Sequence, residues 1–438
     1  MNQSATTMFF NHLPTFRLLL LMLLGWCNVS MATEQVLLSN AKIIDPLSEN
    51  IRHGHLLLEG GFIAATLNDI PSDFSGRIID IQGKWVIPGL NELHTHAFGN
   101  RAPGVDSESI GTPAVAERVL AMGVTSLLDL FADEDAIYNH RQRQQDGKFQ
   151  GADIYTSLSC LTATKGHCTE YGIPTRVMDS PEEAITVVTS LAKRSPDVIK
   201  IVYDKLGRLP SISEDTLKAA IATANALGLK TIIHINTVDG MRDAVLAGAS
   251  ALTHLPNDKE IPESLAKLMV EHNVASIPTI VADTDLYEFI NTPSVLNADM
   301  AQHATSQTII GAYLDKSAFS ESRLKKMEAD NLMFQRSART LIEAGVVMLT
   351  GSDAGGYGTI QGYSVHRELI KLVESGLSTW QALAASTTNA GTFLGKRYGV
   401  NPGDEANLVI LNASPIEDIS NTQKIEFVIH HGRVIDIK

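Results

Sequence analysis

Cysteine is scarce in this chain, with three in 438 residues, so a dense disulfide framework cannot be what holds it together. Basic charge is not in excess either: 35 Lys and Arg stand against 49 Asp and Glu, for a formal net charge of −14. Such a surface repels phosphate backbones, and nucleic-acid binding is not expected. Charged residues make up 19% and apolar residues 44%, a balance too apolar for extensive disorder. Nor does a Gly-rich phosphate fingerprint follow the first strand-like run, which counts against an open doubly wound sheet.

The long apolar run is confined to the N-terminus. Arg17 precedes Leu18-Leu19-Leu20-Leu21-Met22-Leu23-Leu24, and the stretch closes at Ser30-Met31-Ala32. It is too short for a stop-transfer helix and ends on small residues, so 1–32 reads as a secretory signal. An uncleaved anchor is the alternative; a lipoprotein is disfavoured because bulky Trp26 precedes Cys27. Cleavage removes Arg17 and no other Lys, Arg, Asp or Glu, taking the charge to −15. The expectation is an exported protein, periplasmic or secreted, with no stable membrane span after signal removal. Cys160 and Cys168 then either pair or remain buried thiols.

The rest of the chain divides into three. Short strands with turns fill 33–87, including His55-Leu56-Leu57-Leu58 and the Gly60-Gly61 turn, and the style returns over 403–438. The two ends are expected to build one small β-sandwich. Between them, over 88–402, eight apolar runs alternate with helical stretches such as 214–227 and 378–394. The runs are 85–96, 124–130, 153–160, 198–204, 230–236, 251–255, 275–281 and 346–353. Their number and length match a (β/α)8 TIM-like barrel. The 283–344 connection is too long for an ordinary loop, and its helical composition suggests a lid.

Ligand-type residues sit at the C-terminal ends of these runs: His94 and His96 on the first, Lys200 on the fourth, His234 on the fifth, His254 on the sixth and Asp353 on the eighth. Residues i and i+2 of a strand share a face, so His94 and His96 can point into one barrel mouth, where barrel enzymes keep their chemistry. Singly each is unremarkable, since a lone His is more often structural. Together, four imidazoles and a carboxylate suit zinc or a similar divalent ion.

The stretch Pro88-Gly89-Leu90-Asn91-Glu92-Leu93-His94-Thr95-His96 resembles the P-G-L-I-D-x-H-x-H opening of the amidohydrolase superfamily. Gly351-Ser352-Asp353-Ala354-Gly355, Thr387-Thr388-Asn389 and Ala406-Asn407-Leu408-Val409 resemble later parts of that family, so the likeness runs through nearly all of the mature chain. Glu92 stands where Asp is usual and Asn407 replaces a common Asp, but no ligand position is lost. The chain resembles the binuclear branch of that family, in which a buried strand lysine is carboxylated by carbon dioxide, and its Xaa-Pro dipeptidase- and imidazolonepropionase-like amidohydrolases.

That resemblance implies two divalent ions, zinc foremost, with His94, His96 and Asp353 on one and His234 and His254 on the other. Lys200, as a carbamate, would bridge them. Burial lowers a lysine pKa toward the reactive neutral amine. Asp353 is the implied catalytic base, and His254 has the alternative of facing the substrate. His167 and Tyr203 are the implied substrate contacts, because related dipeptidases hold a substrate carboxylate with a His and a Tyr near these places; a loop residue and a packing residue are the bland readings.

The implied reaction is hydrolysis of an amide C–N bond in a dipeptide or N-acyl amino acid, with a small molecule as the partner and an oligomer possible. A lactonase or phosphotriesterase using the same site, and a non-catalytic metal-binding barrel, are the competing readings. Deamination is disfavoured, because Thr237 occupies the place of the acid that adenosine-type deaminases carry after the fifth-strand His.

Overall fold

The computed structural model describes residues 35–435. The signal-peptide expectation for 1–32, like residues 33–34 and 436–438, lies outside the described residues. Among the described residues no helix is long and apolar enough to cross a membrane.

Both chain ends enter one eight-stranded sheet. Gln35–Asp45, Asn50–Glu59 and Phe62–Leu67 run antiparallel in sequence, and Arg77–Asp80 and Trp85–Pro88 lie parallel to the first. The C-terminal strands Leu408–Leu411, Ile425–His430 and Arg433–Ile435 join at the other side, with Ile87 opposite Val409. The hairpin between the second and third strands turns on Gly60 and Gly61, both at positive φ (60° and 86°), as a two-residue hairpin turn requires. The central strands Gln35–Asp45, Trp85–Pro88 and Leu408–Leu411 are buried along most of their length because both their faces are covered. Ile43, Val86, Leu408, Ile410 and Ile429 point into the sheet's own core, where Leu56 and Ile63 meet them. Their neighbours Ile44, Ile87, Val409, Leu411 and Val428 pack instead into the main core under the barrel helices.

The middle of the chain closes into the barrel. Parallel strands Leu90–Thr95, Val124–Asp129, Asp153–Thr156, Ile199–Tyr203, Thr231–Ile235, Ala251–Thr253 and Ala275–Ile277 follow one another. Between the third and fourth, Asp197 N donates to Thr156 O (2.9 Å) and the short strand Cys160–Thr162 pairs with Lys200 and Ile201. The eighth segment completes the circle through single bridges rather than a long ladder. Leu349 N donates to Ser276 O (2.8 Å), Leu93 N to Thr350 O (2.9 Å) and Asp353 N to His94 O (2.7 Å).

Side-chain alternation then decides what faces in. Val198, Ile232, Ala251, Ile277, Leu349 and Leu93 form the apolar floor inside the barrel, while Ile199, Ile201 and Ile233 face the helices. Two residues beyond the floor on the same faces come Lys200 and His234.

Two expected runs are interrupted. The 85–96 run splits at Gly89: Trp85–Pro88 belongs to the terminal sheet and Leu90–Thr95 to the barrel. The 153–160 run likewise ends at Thr156, and Cys160 starts the separate short strand. There the buried side chains of Cys160 and Cys168 lie against one another, beside Phe131 and Val202.

The 283–344 connection is helical, as its composition suggests, but it is a fastened cap. Phe289, Leu296, Ala301, Ile309 and Tyr313 share a core with Ala102, Ile360 and Tyr363. Tyr313 OH donates to the carbonyls of Arg101 and Thr359, and Tyr363 OH to Val295 O. A buried bidentate pair, Arg367 to Asp285 (2.9 and 3.0 Å), pins the first cap helix, Ile280–Asn291, to Tyr363–Glu374.

Candidate metal centre

The strand ends bring six of the eight singled-out side chains into one cluster. His94 Nε2 and His96 Nε2 approach the same Asp353 Oδ1, at 3.2 and 2.9 Å. Lys200 Nζ lies 3.5 Å from His94 Nε2. His254 packs between His94 and His234, with ring centroids 4.9 and 4.5 Å away, and His167 is 5.0 Å from His234, so it joins the cluster as a seventh member from the loop after the third strand.

Tyr203 does not join them, and the expectation that it holds substrate is corrected. Its position is three residues from Lys200, so strand alternation turns it to the opposite face. It is buried in the layer under the helices, and its hydroxyl donates to Asp243 at 3.0 Å, beside Lys205.

The surrounding residues fix the cluster's geometry. His94 Nδ1 meets Thr253 Oγ1 (2.5 Å) and His254 Nδ1 meets Thr279 Oγ1 (2.8 Å). Donation from each Nδ1–H leaves the Nε2 lone pair turned to the cluster, the arrangement typical of metal-binding histidines. Glu92 accepts from the backbone N–H of His94 (3.0 Å) and Ser352 (2.8 Å) and from the Ser352 hydroxyl, tying strand one to strand eight below the ligands. Gly351 permits that approach: a β-carbon there would lie 2.8 Å from His94 Cβ and 2.4 Å from Ile277 Cγ2. His254 and Asp353 sit at positive φ (69° and 57°), a strained backbone of the kind found at functional sites.

Burial keeps the cluster short of protons. It pushes His94 and His234 well below the usual imidazole range, with Lys200 and the other rings adding to the effect. His254 is driven down to about 3 by the same cause. Lys200 falls to about 7, again through burial, against the pull of Asp353. Asp353 is held below its ordinary value despite burial, because His96, His254 and Lys200 favour its charge. His96 alone is raised, Asp353 outweighing its burial.

The donor set fits divalent ions. Tetrahedral ligand bonds of 2.0–2.2 Å place neighbouring ligand atoms about 3.3–3.6 Å apart, and Asp353 Oδ1 lies slightly inside that spacing from the two Nε2 atoms, at 3.2 and 2.9 Å. Asp353 Oδ1 is buried without a well-aligned hydrogen bond, and three of the four imidazoles on the barrel strand ends, those of His94, His234 and His254, are held neutral. His94, His96 and Asp353 form the tightest group.

The loops add residues that no periodicity in the sequence marks. Arg101, five positions after His96, lies over the rings of Phe98, Tyr171 and Tyr357 at 5.8, 5.5 and 5.5 Å. Its guanidinium has no hydrogen bond or ion pair among the described residues. Tyr171 links it to the cluster, with its ring 5.7 Å from His167 and 6.1 Å from Phe131, which in turn edges His96. His167 is held by Glu170 at 2.6 Å.

Known proteins share this plan. The family model of the amidohydrolase family matches residues 85–435. An ochratoxinase from Aspergillus niger is 24% identical over 392 residues, covering 79% of this chain and 74% of the fungal one. A protein of Mycobacterium tuberculosis is 25% identical over 356 residues, covering 80% and 85% of the two chains. Among solved structures, a Xaa-Pro dipeptidase with bound methionine superposes with a TM-score of 0.77 at 21% identity, over 92% of this chain and all of the other.

Proposed function

Since the chain belongs to the amidohydrolase family, we propose that it is a metal-dependent hydrolase cleaving the amide bond of a dipeptide or N-acyl amino acid that bears a free C-terminal carboxylate. The observation that carries the reading is the convergence of His94, His96, Lys200, His234, His254 and Asp353 on one buried, largely proton-free cluster. The proposed cofactors are two zinc ions, one on His94, His96 and Asp353 and one on His234 and His254, with Lys200 between them as a carbamate. Lys200, lowered to about 7, has its neutral amine available for carbon dioxide at neutral pH. Bound divalent ions supply charge that activates water and polarises a carbonyl.

The chain's own groups do the rest. Asp353, kept ionised, accepts the proton of the attacking water as oxygen bonds to the scissile carbonyl carbon. When the C–N bond breaks, the same carboxyl returns that proton to the departing amine. The products are one carboxylic acid and one amine.

A substrate carboxylate needs donors near this centre. With Tyr203 turned away, the reading assigns them to Arg101 and His167, with Tyr171 between. A guanidinium faced by aromatic rings and lacking an acidic partner is suited to a planar carboxylate. The names of the structural neighbours, a Xaa-Pro dipeptidase and a prolidase complexed with N-methylphosphonate-L-proline, and of the ochratoxinase relative are compatible with such substrates.

The test is a panel of dipeptides, N-acyl amino acids, lactones and phosphotriesters offered to the zinc-loaded protein. The reading predicts turnover of the first two classes, with amine release. Turnover of lactones or phosphotriesters alone would replace it, and no turnover by a fully loaded protein would favour a binding barrel. Export belongs to the same proposal: protein from its native host should begin at Thr33, and an intact Met1 in its mass spectrum would reject cleavage.

A further inference from the structure

A second group of ligand-type side chains lies at the opposite pole of the barrel. Asp153 opens the third barrel strand, Asp153–Thr156, at the end away from the zinc ligands. His430 closes the C-terminal strand Ile425–His430, and His431 begins the turn into Arg433–Ile435. Backbone direction would normally send adjacent strand residues to opposite faces. Here His431 takes a positive φ of 49°, its N–H donating to Asn407 Oδ1 at 2.8 Å. Both imidazoles therefore swing to one side, with ring centroids 4.1 Å apart.

Their Nε2 atoms converge on a single oxygen. His431 Nε2 is 2.9 Å and His430 Nε2 3.4 Å from Asp153 Oδ1. His431 Nε2 is within ordinary hydrogen-bond reach of that oxygen, and His430 Nε2 stands at a longer, ion-pair distance. His430 is 8% exposed, and its Nε2 is buried without a hydrogen-bond partner, a state native proteins avoid. Ligands on one tetrahedral ion with bonds of 2.0–2.2 Å stand about 3.3–3.6 Å apart; the His430 separation falls in that range and the His431 one is somewhat shorter. They also reproduce the 3.2 and 2.9 Å of His94 and His96 to Asp353. His431 is half exposed, which leaves an entry path and room for water to complete the shell.

We propose that Asp153, His430 and His431 bind a third divalent transition-metal ion, distinct from the hydrolytic centre. Two imidazoles and a carboxylate select zinc-like ions over magnesium or calcium. The ion clamps the C-terminal hairpin to the base of the barrel. Conserving the terminal sheet's docking, rather than turnover, is its task, in keeping with the structural role of that barrel end.

The experiment counts zinc per chain in the mature protein after equilibration with zinc alone and removal of the excess. His431→Asn is the first variant, since Asn tolerates the same left-handed backbone, and Asp153→Asn is the second. Each is expected to hold one zinc fewer than the parent and to lose the rise in melting temperature that zinc gives the parent at this site. The difference of one zinc should persist in a Lys200→Ala background, where the barrel ions are depleted, so the count does not depend on any activity. Equal zinc content in parent and His431→Asn, in both backgrounds, would overturn the proposal and leave a hydrogen-bonded cluster. Should Asp153→Asn fail to fold, the turn variant alone decides.

Discussion

Lys200 Nζ sits 3.5 Å from His94 Nε2, two basic nitrogens whose pKa values burial lowers despite Asp353 beside them. A lysine flanked by isoleucines on a barrel strand is costly as a bare cation, and its fall to about 7 makes the amine available for carboxylation. Lys200→Ala should therefore lose at least a hundredfold in kcat, with part of its bound metal, about 3 kcal/mol of transition-state stabilisation. Added short-chain carboxylate should restore some of both by occupying the bridge. A Lys200→Ala protein with full metal content and unchanged turnover would remove the bridge from the account.

Arg101→Met keeps an unbranched apolar stem while deleting the guanidinium that lies over the rings of Tyr171 and Tyr357. For substrates with a free carboxylate, kcat/KM should fall about ten- to a hundredfold, the loss of a charge-assisted contact. For the matching C-terminal amides it should hardly change, because the parent gains nothing from Arg101 there. If acid and amide forms suffer equally, Arg101 supports the loop and does not read the substrate.

Much of this site is visible in the sequence because its ligand-type residues gather at strand ends, and two of them stand two residues beyond the apolar floor. Val198 to Lys200 and Ile232 to His234 show that spacing, and local pattern suffices to find it. The same spacing excludes Tyr203, whose odd offset from Lys200 turns it outward. Arg101 and Tyr171 escape the pattern because they come from loops, where position depends on tertiary packing. So does the break at Gly89: Trp85–Pro88 leaves the barrel to pair with Gln35–Asp45 on one side and with Leu408–Leu411, more than 300 residues later, on the other. The cap over 283–344 likewise looks like a free lid until Phe289 and Tyr313 are seen in one core with Ile360 and Tyr363.

Glu368 makes the anchoring of that cap sensitive to pH. Its two carboxyl oxygens accept from Ile280 N and Val281 N, both at 3.0 Å, at the start of the first cap helix. Burial nonetheless raises its pKa from 4.5 to about 8. The folded protein thus holds a proton that the unfolded chain releases above about pH 4.5, so this group's contribution is full at acidic pH and is lost between about pH 4.5 and 8. Urea unfolding should show the parent losing roughly 2–5 kcal/mol across that window relative to Glu368→Gln. Parallel pH curves for the two proteins would contradict the assignment.

If turnover belongs to ions held by the six clustered residues, metal reconstitution returns it in step with those ions. The His431→Asn protein, freed of the proposed third site, is stripped with chelator and titrated with zinc in the presence of bicarbonate. Hydrolysis of an N-acyl amino acid is followed at each addition. The account predicts no turnover at the start and a rise that levels off at two zinc ions per chain. Full activity in the stripped protein, or a plateau reached with one ion, would contradict it.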